Sequence, residues 1–157
     1  GGMGGRGYGS VIREERDGAF WRAVVDHPDV AHVKMGLPFD VEGLVAHEQV
    51  IPLASEHGGF IFCRLDGVGR VFELHTMFTP EGRGREVTAA AKEAFAWMFR
   101  AGARVITTYE VEDWASPPLS FGWRPVGGFG PTEFGNVRTW ILTLEEWESS
   151  PAHRRLH

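Results

Sequence analysis

GRVFELHTMFTPEGRGREVTAAAKEAFAWMFRAG, residues 69–102, contains three structural signals in succession. Residues alternate along Val71–Phe78, which predicts a strand with Glu73, His75 and Met77 on one face. Small and apolar residues then recur at helical spacing from residue 87 to residue 98, which predicts an amphipathic helix that lies on a sheet. One face of the strand therefore offers a carboxylate and an imidazole shortly before the helix begins.

The glycine-rich turn Pro80-Glu81-Gly82-Arg83-Gly84-Arg85 connects this strand to the helix. Its glycines allow backbone N–H groups to converge at the positive end of the helix dipole, which suits a phosphate. A short glycine-rich turn is a weak motif by itself, because many helices begin in this way. The preceding strands strengthen the hypothesis of a phosphate site without excluding an ordinary turn.

The composition is that of one globular domain. The chain has 157 residues, 43% of them hydrophobic, and no apolar run approaches the ~20 residues of a membrane span. A net charge of −5 argues against a general nucleic-acid binder. Cys63 is the single cysteine, so no intrachain disulfide can form. We expect a cytoplasmic protein with no membrane partner.

The pattern of the whole chain predicts a single domain over residues 11–148, a flexible start over 1–10 and a polar tail over 149–157. Asp17 and Asp40 are candidate caps for helices that run to about His27 and His47. The turns His57-Gly58-Gly59 and Asp66-Gly67-Val68-Gly69 separate the three strands of an antiparallel meander, of which the strand ending at Phe78 is the last. We predict strands at 10–14, 49–55, 59–65, 70–78, 103–109, 122–126 and 137–144, the main helix at 85–101, and a loop at 127–130.

This order of elements resembles the GNAT acyltransferase superfamily. Residues 78–85, FTPEGRGR, look like that family's V-x-P-x-x-R-G-K entry to the coenzyme A pyrophosphate loop, and Ala115 to Trp123 looks like its A…G-F segment. The resemblance implies an α/β (α+β) fold: a mixed, mostly antiparallel sheet with splayed central parallel strands, flanked by helices. The central segment is also similar to divergent GNAT-like proteins of bacteriophages.

The resemblance implies acetyl coenzyme A as the acyl donor, with its pantetheine arm between the fourth and fifth strands. The family pattern has small residues where this chain has Glu86 and Thr88, and Glu86 would place negative charge beside a pyrophosphate. The position that often carries a tyrosine acid falls near Leu119 or Ser120. The residues that the resemblance assigns to the cofactor are Met77, Phe78, Arg83, Gly84, Arg85, Glu86, Val87 and Thr88.

Acyl transfer to an amine needs a base, and Glu73 and His75 are the candidates. The ordinary pKa of a histidine lies nearest neutrality, whereas Glu73 would need burial to raise its pKa. The alternative interpretation is structural: His75 is a hydrogen-bonded core histidine, and Glu73 pairs with an arginine.

Tyr109 and Glu110 end the predicted parallel strand, where open sheets place ligands, and Phe129 lies in a glycine-rich loop. These three residues are the candidates for acceptor binding. Equally, Glu110 could belong to a solvated acidic loop with Glu112 and Asp113.

Two functions remain from the sequence. The first is an N-acyltransferase that moves an acetyl group from acetyl coenzyme A to an amine of a small molecule or protein. The second is a non-catalytic GNAT-fold binding or assembly protein, associated with bacteriophages. The seven histidines have no metal-ligand spacing, so we expect no metal. The edge of the last strand could pair two copies in a homodimer.

Overall fold

The computed structural model describes residues 11–31 and 40–156. The start expected to be flexible, residues 1–10, lies outside the described residues, as do Pro38 and Phe39, which we expect in a loop. Within the described ranges, no helix is both long enough and apolar enough to span a membrane.

The strands and helices follow the predicted order closely. The strands are β1 (Arg13–Glu14), β2 (Val50–Ser55), β3 (Gly58–Arg64), β4 (Val71–Phe78), β5 (Val105–Val111), β6 (Arg124–Thr132) and β7 (Gly135–Thr143). The helices are α1 (Gly18–Val25), α2 (Pro28–Ala31), α3 (Val41–Ala46), α4 (Arg85–Arg100), α5 (Leu144–Glu148) and α6 (Pro151–Arg154). Single 3-10 turns occupy Pro80–Gly82 and Leu119–Phe121.

Side-chain caps fix where several helices begin. The carboxylate of Asp17 accepts the amide of Ala19, and that of Asp40 accepts the amide of Gly43. Both predicted caps are therefore confirmed, because each satisfies an amide that the helix itself cannot pair. Pro28 begins α2 rather than only ending α1, since proline suits the first turn of a helix.

The strands form one sheet in the order β1-β2-β3-β4-β5-β7-β6. β1, β2 and β3 pair antiparallel, while β4 pairs with β5 in parallel, with Val71 opposite Val105 and Glu73 opposite Thr107. β7 pairs antiparallel with both β5 and β6. The predicted parallel pair is confirmed, because α4 provides the crossover that parallel strands require.

The chain divides into two compact units. The first contains Gly1–Cys63 and His75–Trp97, and the second contains Arg64–Leu74 and Met98–His157. In the first unit, Trp21 is fully buried and donates its indole N–H to the carbonyl of Glu15 over 2.7 Å. Its core cluster consists of Trp21, Val24, Val25, Val30, Val41, Val45, Val50, Ala54, Ile61 and Met77.

The core of the second unit centres on Trp147. Its ring stacks on Phe99 at 6.3 Å between centroids and lies 6.1 Å from Phe121. The segment expected to be a polar tail instead forms α6, capped by the hydroxyl of Ser150, with Ala152 fully buried. The His153 ring, whose centroid lies 5.3 Å from that of Trp147, and the buried Ser150 add to this anchor, and neither polar residue type predicts burial from sequence.

The loop predicted at residues 127–130 is wrong. These residues belong to β6, and the pairing with β7 shifts register between Val126 and Gly130. The bulge takes up residues 127–129, and pairing with β7 resumes at Gly130. Repeated glycine therefore marks an irregular strand here rather than its end.

Candidate functional site

The turn before α4 has the backbone geometry of an anion site. Gly84 adopts a φ of +89°, in the left-handed region, and no atom lies within 4 Å of where its Cβ would stand. The carbonyl of Gly84 accepts both the amide and the hydroxyl of Thr88, over 3.1 and 2.9 Å. The amides of residues 85–87 lie before this first helical hydrogen bond, where they can bind an anion.

Arg83 holds the turn in place. Its Nε donates to the carbonyl of Phe78 over 3.2 Å, and a terminal nitrogen donates to the carbonyl of Asp29 over 3.0 Å. The side chains of Met77 and Phe78 are buried, so any contact of theirs with a cofactor must come from the backbone. Arg85 is exposed at the first position of the helix. Replacing Arg85 should therefore test the contribution of a positive charge to anion binding without removing the contacts by which Arg83 holds the turn.

Glu86 turns toward the β2–β3 hairpin of the same unit. One carboxylate oxygen accepts the hydroxyl of Ser55 and the amide of His57, the latter over 2.9 Å. The other oxygen lies 2.7 Å from Nδ1 of the His57 ring. The sequence suggests a charge beside the pyrophosphate site, but these contacts occupy the carboxylate elsewhere.

The electrostatics of this pair favour the charged forms. Burial acts to raise the pKa of Glu86, but hydrogen bonds from Ser55 and His57 outweigh it and lower the pKa below its ordinary value. The hydrogen bond with Glu86 raises the pKa of His57, and the charges of Glu56 and Glu81 add to that effect. The imidazolium and the carboxylate therefore stabilise each other.

Glu86 and His57 also belong to a group of side chains, among the described residues, that could hold a metal ion. Glu56, His57 and Glu86 each offer one ligand atom, all within 4.8 Å of one another. Both oxygens of Glu86 already accept hydrogen bonds, and one of them bonds Nδ1 of His57. Glu86 and His57 thus already bond each other, while Glu56 is 81% exposed and lies 3.9 Å from Nε2 of His57.

In the second unit, Glu73 and Tyr109 form a hydrogen-bonded pair across the parallel strands. The charge of Glu73 raises the pKa of the Tyr109 hydroxyl, and burial and the hydrogen bond raise it further. Glu73 is half-buried, whereas the Tyr109 side chain is 54% exposed. The pair joins a predicted base to a predicted acceptor residue.

His75 is exposed on β4, so its interpretation as a core histidine is wrong. Alternation along the strand predicts which residues share a face, but it does not predict how deeply each of them is buried. On this face Glu73 is half-buried, His75 is exposed and Met77 is buried. Met77 packs in the core of the first unit, whereas Glu73 belongs to the second. Of the two candidate bases, His75 is exposed and belongs to the first unit, whereas Glu73 is half-buried and belongs to the second.

Glu110 is buried and fully hydrogen-bonded. One carboxylate oxygen accepts two N–H groups of Arg138, over 3.0 and 2.8 Å, and the indole N–H of Trp140 over 2.8 Å. The hydroxyl of Ser116 binds the other oxygen. Burial acts to raise the pKa of Glu110, but these donors outweigh it and lower the pKa. Glu110 is therefore not part of a solvated acidic loop, and its carboxylate is committed to the protein.

Phe129 lies at the edge of this cluster. The guanidinium of Arg138 sits 4.6 Å from the centre of the Phe129 ring and 5.1 Å from that of Trp140. The Phe129 side chain remains 37% exposed. Phe129 thus packs against the guanidinium of the Glu110–Arg138 ion pair and remains partly exposed to solvent.

Sequence reasoning misses Ser55, His57 and Arg138. His57 precedes two glycines and is treated only as part of a hairpin turn. The sequence does contain a signal that Glu110 is buried, because alternation along β5 places it on the same face as the buried Ile106. A buried carboxylate needs a cation, and Arg138 on the last strand is one available partner.

Comparisons with known proteins establish the fold. No protein-family model and no curated protein sequence matches the chain. Among solved structures, a chimera of the spermidine N-acetyltransferase SpeG from Vibrio cholerae and hSSAT is 14% identical, with 88% of this chain and 97% of that chain covered and a TM-score of 0.67. AAC(6')-Ib in complex with acetyl-CoA is 15% identical, covering 88% and 96%, with a TM-score of 0.64.

A GNAT-family protein from Chromobacterium violaceum is 18% identical, covers 90% of this chain and 92% of its own, and has a TM-score of 0.64. Each match covers nearly the whole of both chains. The protein therefore has the GNAT acyl-CoA N-acyltransferase fold, as the resemblance in sequence implies. At such low identities the likeness defines the fold and leaves the activity to the site.

Proposed function

We propose that this protein is an N-acetyltransferase that moves the acetyl group of acetyl coenzyme A to an amine. The observation that carries the proposal is the turn before α4, where Gly84 is open and Glu86 is turned away. Structures with the same fold have been solved with acetyl-CoA or coenzyme A. The bound donor would supply a thioester, whose carbonyl carbon the amine attacks.

The turn supplies the features needed to hold the pyrophosphate. The amides of residues 85–87 and the dipole of α4 attract its charge, and Arg85 adds a cation at the mouth of the turn. Arg83 keeps the turn in shape through Phe78 and Asp29. The backbone of Met77 and Phe78 would lie along the pantetheine arm.

Glu73 is the base that we favour over His75. It is half-buried and hydrogen-bonded to Tyr109, which fixes its orientation. As a carboxylate it accepts a proton from the ammonium form of the acceptor, which leaves the neutral amine as the nucleophile. Tyr109 is a positioning residue in this scheme, because it acts through Glu73.

The acceptor that we propose is a small cationic amine. The names of two structures with this fold refer to spermidine and to aminoglycosides, which are such amines. Glu112 and Asp113 are exposed directly after β5 and would attract a cation. Phe129 provides a partly exposed ring for a ligand's apolar part, whereas the carboxylate of Glu110 is held by Arg138 and Trp140.

Calorimetric titration with acetyl-CoA tests the donor. Wild-type protein should bind saturably, and Arg85→Ala should weaken binding about fivefold to tenfold through the loss of one exposed charge-assisted contact. Arg100→Ala, at the other end of α4, is the matched control and should bind like wild type. Absence of binding at millimolar acetyl-CoA would exclude the proposal.

Release of coenzyme A thiol with a panel of polyamines and aminoglycosides tests the reaction. Glu73→Gln should lower kcat at least about 100-fold, as expected for a lost general base, while acetyl-CoA binding is retained. His75→Ala should keep most of the activity. The opposite pattern would transfer the base to His75.

A non-catalytic coenzyme A-binding protein is the second candidate. The observation that favours it is Leu119, 70% exposed in the segment where the family often carries a tyrosine acid. Without that acid, the coenzyme A thiolate would have to leave unprotonated or take its proton from water. Saturable binding of acetyl-CoA with no thiol release for any amine would support this second function.

A further inference from the structure

Glu86 stands in the first turn of α4, where a free carboxylate competes with a bound anion. A carboxylate at such a position ordinarily turns toward the amides of its own helix terminus, because those amides and the dipole attract it. These are the same amides that a pyrophosphate would use. The position alone therefore predicts that the carboxylate of Glu86 occupies the amides that would bind the anion.

The structure places that carboxylate elsewhere through three donors from the β2–β3 hairpin. Ser55 Oγ and the His57 amide meet one oxygen, and the His57 ring meets the other. Two of the three come from one residue, and only 22% of the Glu86 side chain is exposed. These three donors engage both oxygens of the carboxylate and hold it toward the hairpin.

Other charges around His57 reinforce this arrangement. Its Nε2 lies 3.9 Å from a carboxylate oxygen of Glu56 and 3.9 Å from one of Glu81. Both are well exposed, and both favour the protonated ring that donates to Glu86. The imidazole is thus held between Glu86 on one nitrogen and two surface acids on the other.

We infer that Ser55 and His57 are positioning residues that draw Glu86 away from the amino end of α4 and so keep the anion site open. The inference rests on the proposed function, since it concerns the same turn. It assigns a role to two residues of the β2–β3 hairpin that lie outside the turn before α4. It also accounts for a glutamate at a position where the family pattern has a small residue.

The test is a mutant cycle read by binding rather than by activity. Titration of coenzyme A, in EDTA so that no cation bridges the acids, compares wild type with His57→Ala, Glu86→Gln and the double variant. His57→Ala should weaken binding about fivefold, the effect of one like charge near 4 Å in water. Glu86→Gln should bind like wild type, and the double variant should regain wild-type affinity because no charge remains to repel the anion.

Two further variants keep the test decisive. Ser55→Ala should give a smaller loss, also cancelled by Glu86→Gln, and it replaces His57→Ala if that variant does not fold. Glu93→Gln is the control for Glu86→Gln. It removes a carboxylate further along α4, one that accepts the amide of Val11, and it should not restore coenzyme A binding when combined with His57→Ala. Equal affinities for wild type and both hairpin variants would overturn the inference, as would a double variant as weak as His57→Ala.

Inorganic pyrophosphate separates this inference from the function. Its binding is followed by the amide chemical shifts of residues 85–87 in the same variants. If pyrophosphate binds with the expected pattern and coenzyme A does not, the acetyltransferase proposal fails and the inference stands. If wild type binds neither ligand, both are wrong.

Discussion

Replacing Glu110 should cost this protein several kcal/mol of stability, because its buried carboxylate accepts hydrogen bonds from Arg138, Trp140 and Ser116. Arg138 gives it two N–H groups and Trp140 its indole N–H, and the Glu110 side chain is only 6% exposed. Breaking a buried ion pair by removing one partner costs about 3–5 kcal/mol. Arg138 is 25% exposed and can recover some hydration, so we expect about 3 kcal/mol for Glu110→Ala.

Glu110→Gln separates charge from hydrogen bonding. The amide oxygen can still accept from Arg138 and Trp140, and the amide nitrogen can donate to the Ser116 hydroxyl. Only the countercharge is lost, so the cost should fall to about 1–2 kcal/mol. The two variants together therefore divide the contribution of this carboxylate into its two physical parts.

Urea unfolding followed by circular dichroism measures these differences as a shift in midpoint at constant m-value. In a thermal scan the alanine variant should melt about 6–12 °C below wild type. Glu112→Gln is the matched control: its exposed carboxylate accepts only the Asn136 amide, over 3.2 Å, and should cost less than about 0.5 kcal/mol. A Glu110→Ala variant within about 1 kcal/mol of wild type would refute the structural role and return Glu110 to the acceptor site.

Three other outcomes follow from single features. The pKa of His57, raised by Glu86, should fall toward its ordinary 6.5 in Glu86→Gln, as measured by NMR titration of the ring. The stability that the raised histidine pKa contributes is full below pH 6.5 and is lost as pH rises through the higher pKa of the folded state, whereas the stability from the lowered Glu86 pKa is full above pH 4.5 and is lost as pH falls through the lower pKa of the folded state. Gly84→Ala should cost about 1–2 kcal/mol through left-handed strain, whereas Gly67→Ala, in open space, should be neutral by chemical denaturation. Gly122→Ala should prevent stable folding at 37 °C, which a thermal scan would show as a lost transition. The added Cβ would lie 2.6 Å from a backbone carbonyl oxygen of α5, and the residue would have to adopt a φ of +101°. A normal melting curve would show that the backbone relaxes there.

Local signals explain why so much of the fold is predictable. The predicted helix 85–101 is found as Arg85–Arg100, and the predicted strand 70–78 as Val71–Phe78. Both have a clear period in hydrophobicity, and each is long enough for that period to repeat. Asp17 and Asp40 lie beside the amides that they cap, so the signal and its effect are neighbours in sequence.

The orientation of charged side chains is not predictable in this way. Glu86 is found by its helical position, but the residues that turn it lie 29 and 31 positions earlier in the chain. Glu110 is found at a strand end, but Arg138 lies 28 positions later. Whether a carboxylate faces a ligand or a partner depends on which strands become neighbours, and the register of the sheet decides that.

The glycines and prolines of β6 have a consequence for how copies of this protein can associate. β6 and the two-residue β1 are the end strands of the sheet order. Pro125 and Pro131 cannot donate hydrogen bonds, and the bulge between Val126 and Gly130 interrupts the regular ladder. A second copy could extend the sheet only at β1, which is two residues long, or at β6, which lacks hydrogen-bond donors at its prolines. Both ends therefore disfavour the open-ended strand addition that leads to aggregation. The last strand in the sequence, β7, is not an edge as expected, because it pairs with both β5 and β6. A homodimer would therefore have to form through side chains rather than through a shared ladder at β7 or β6.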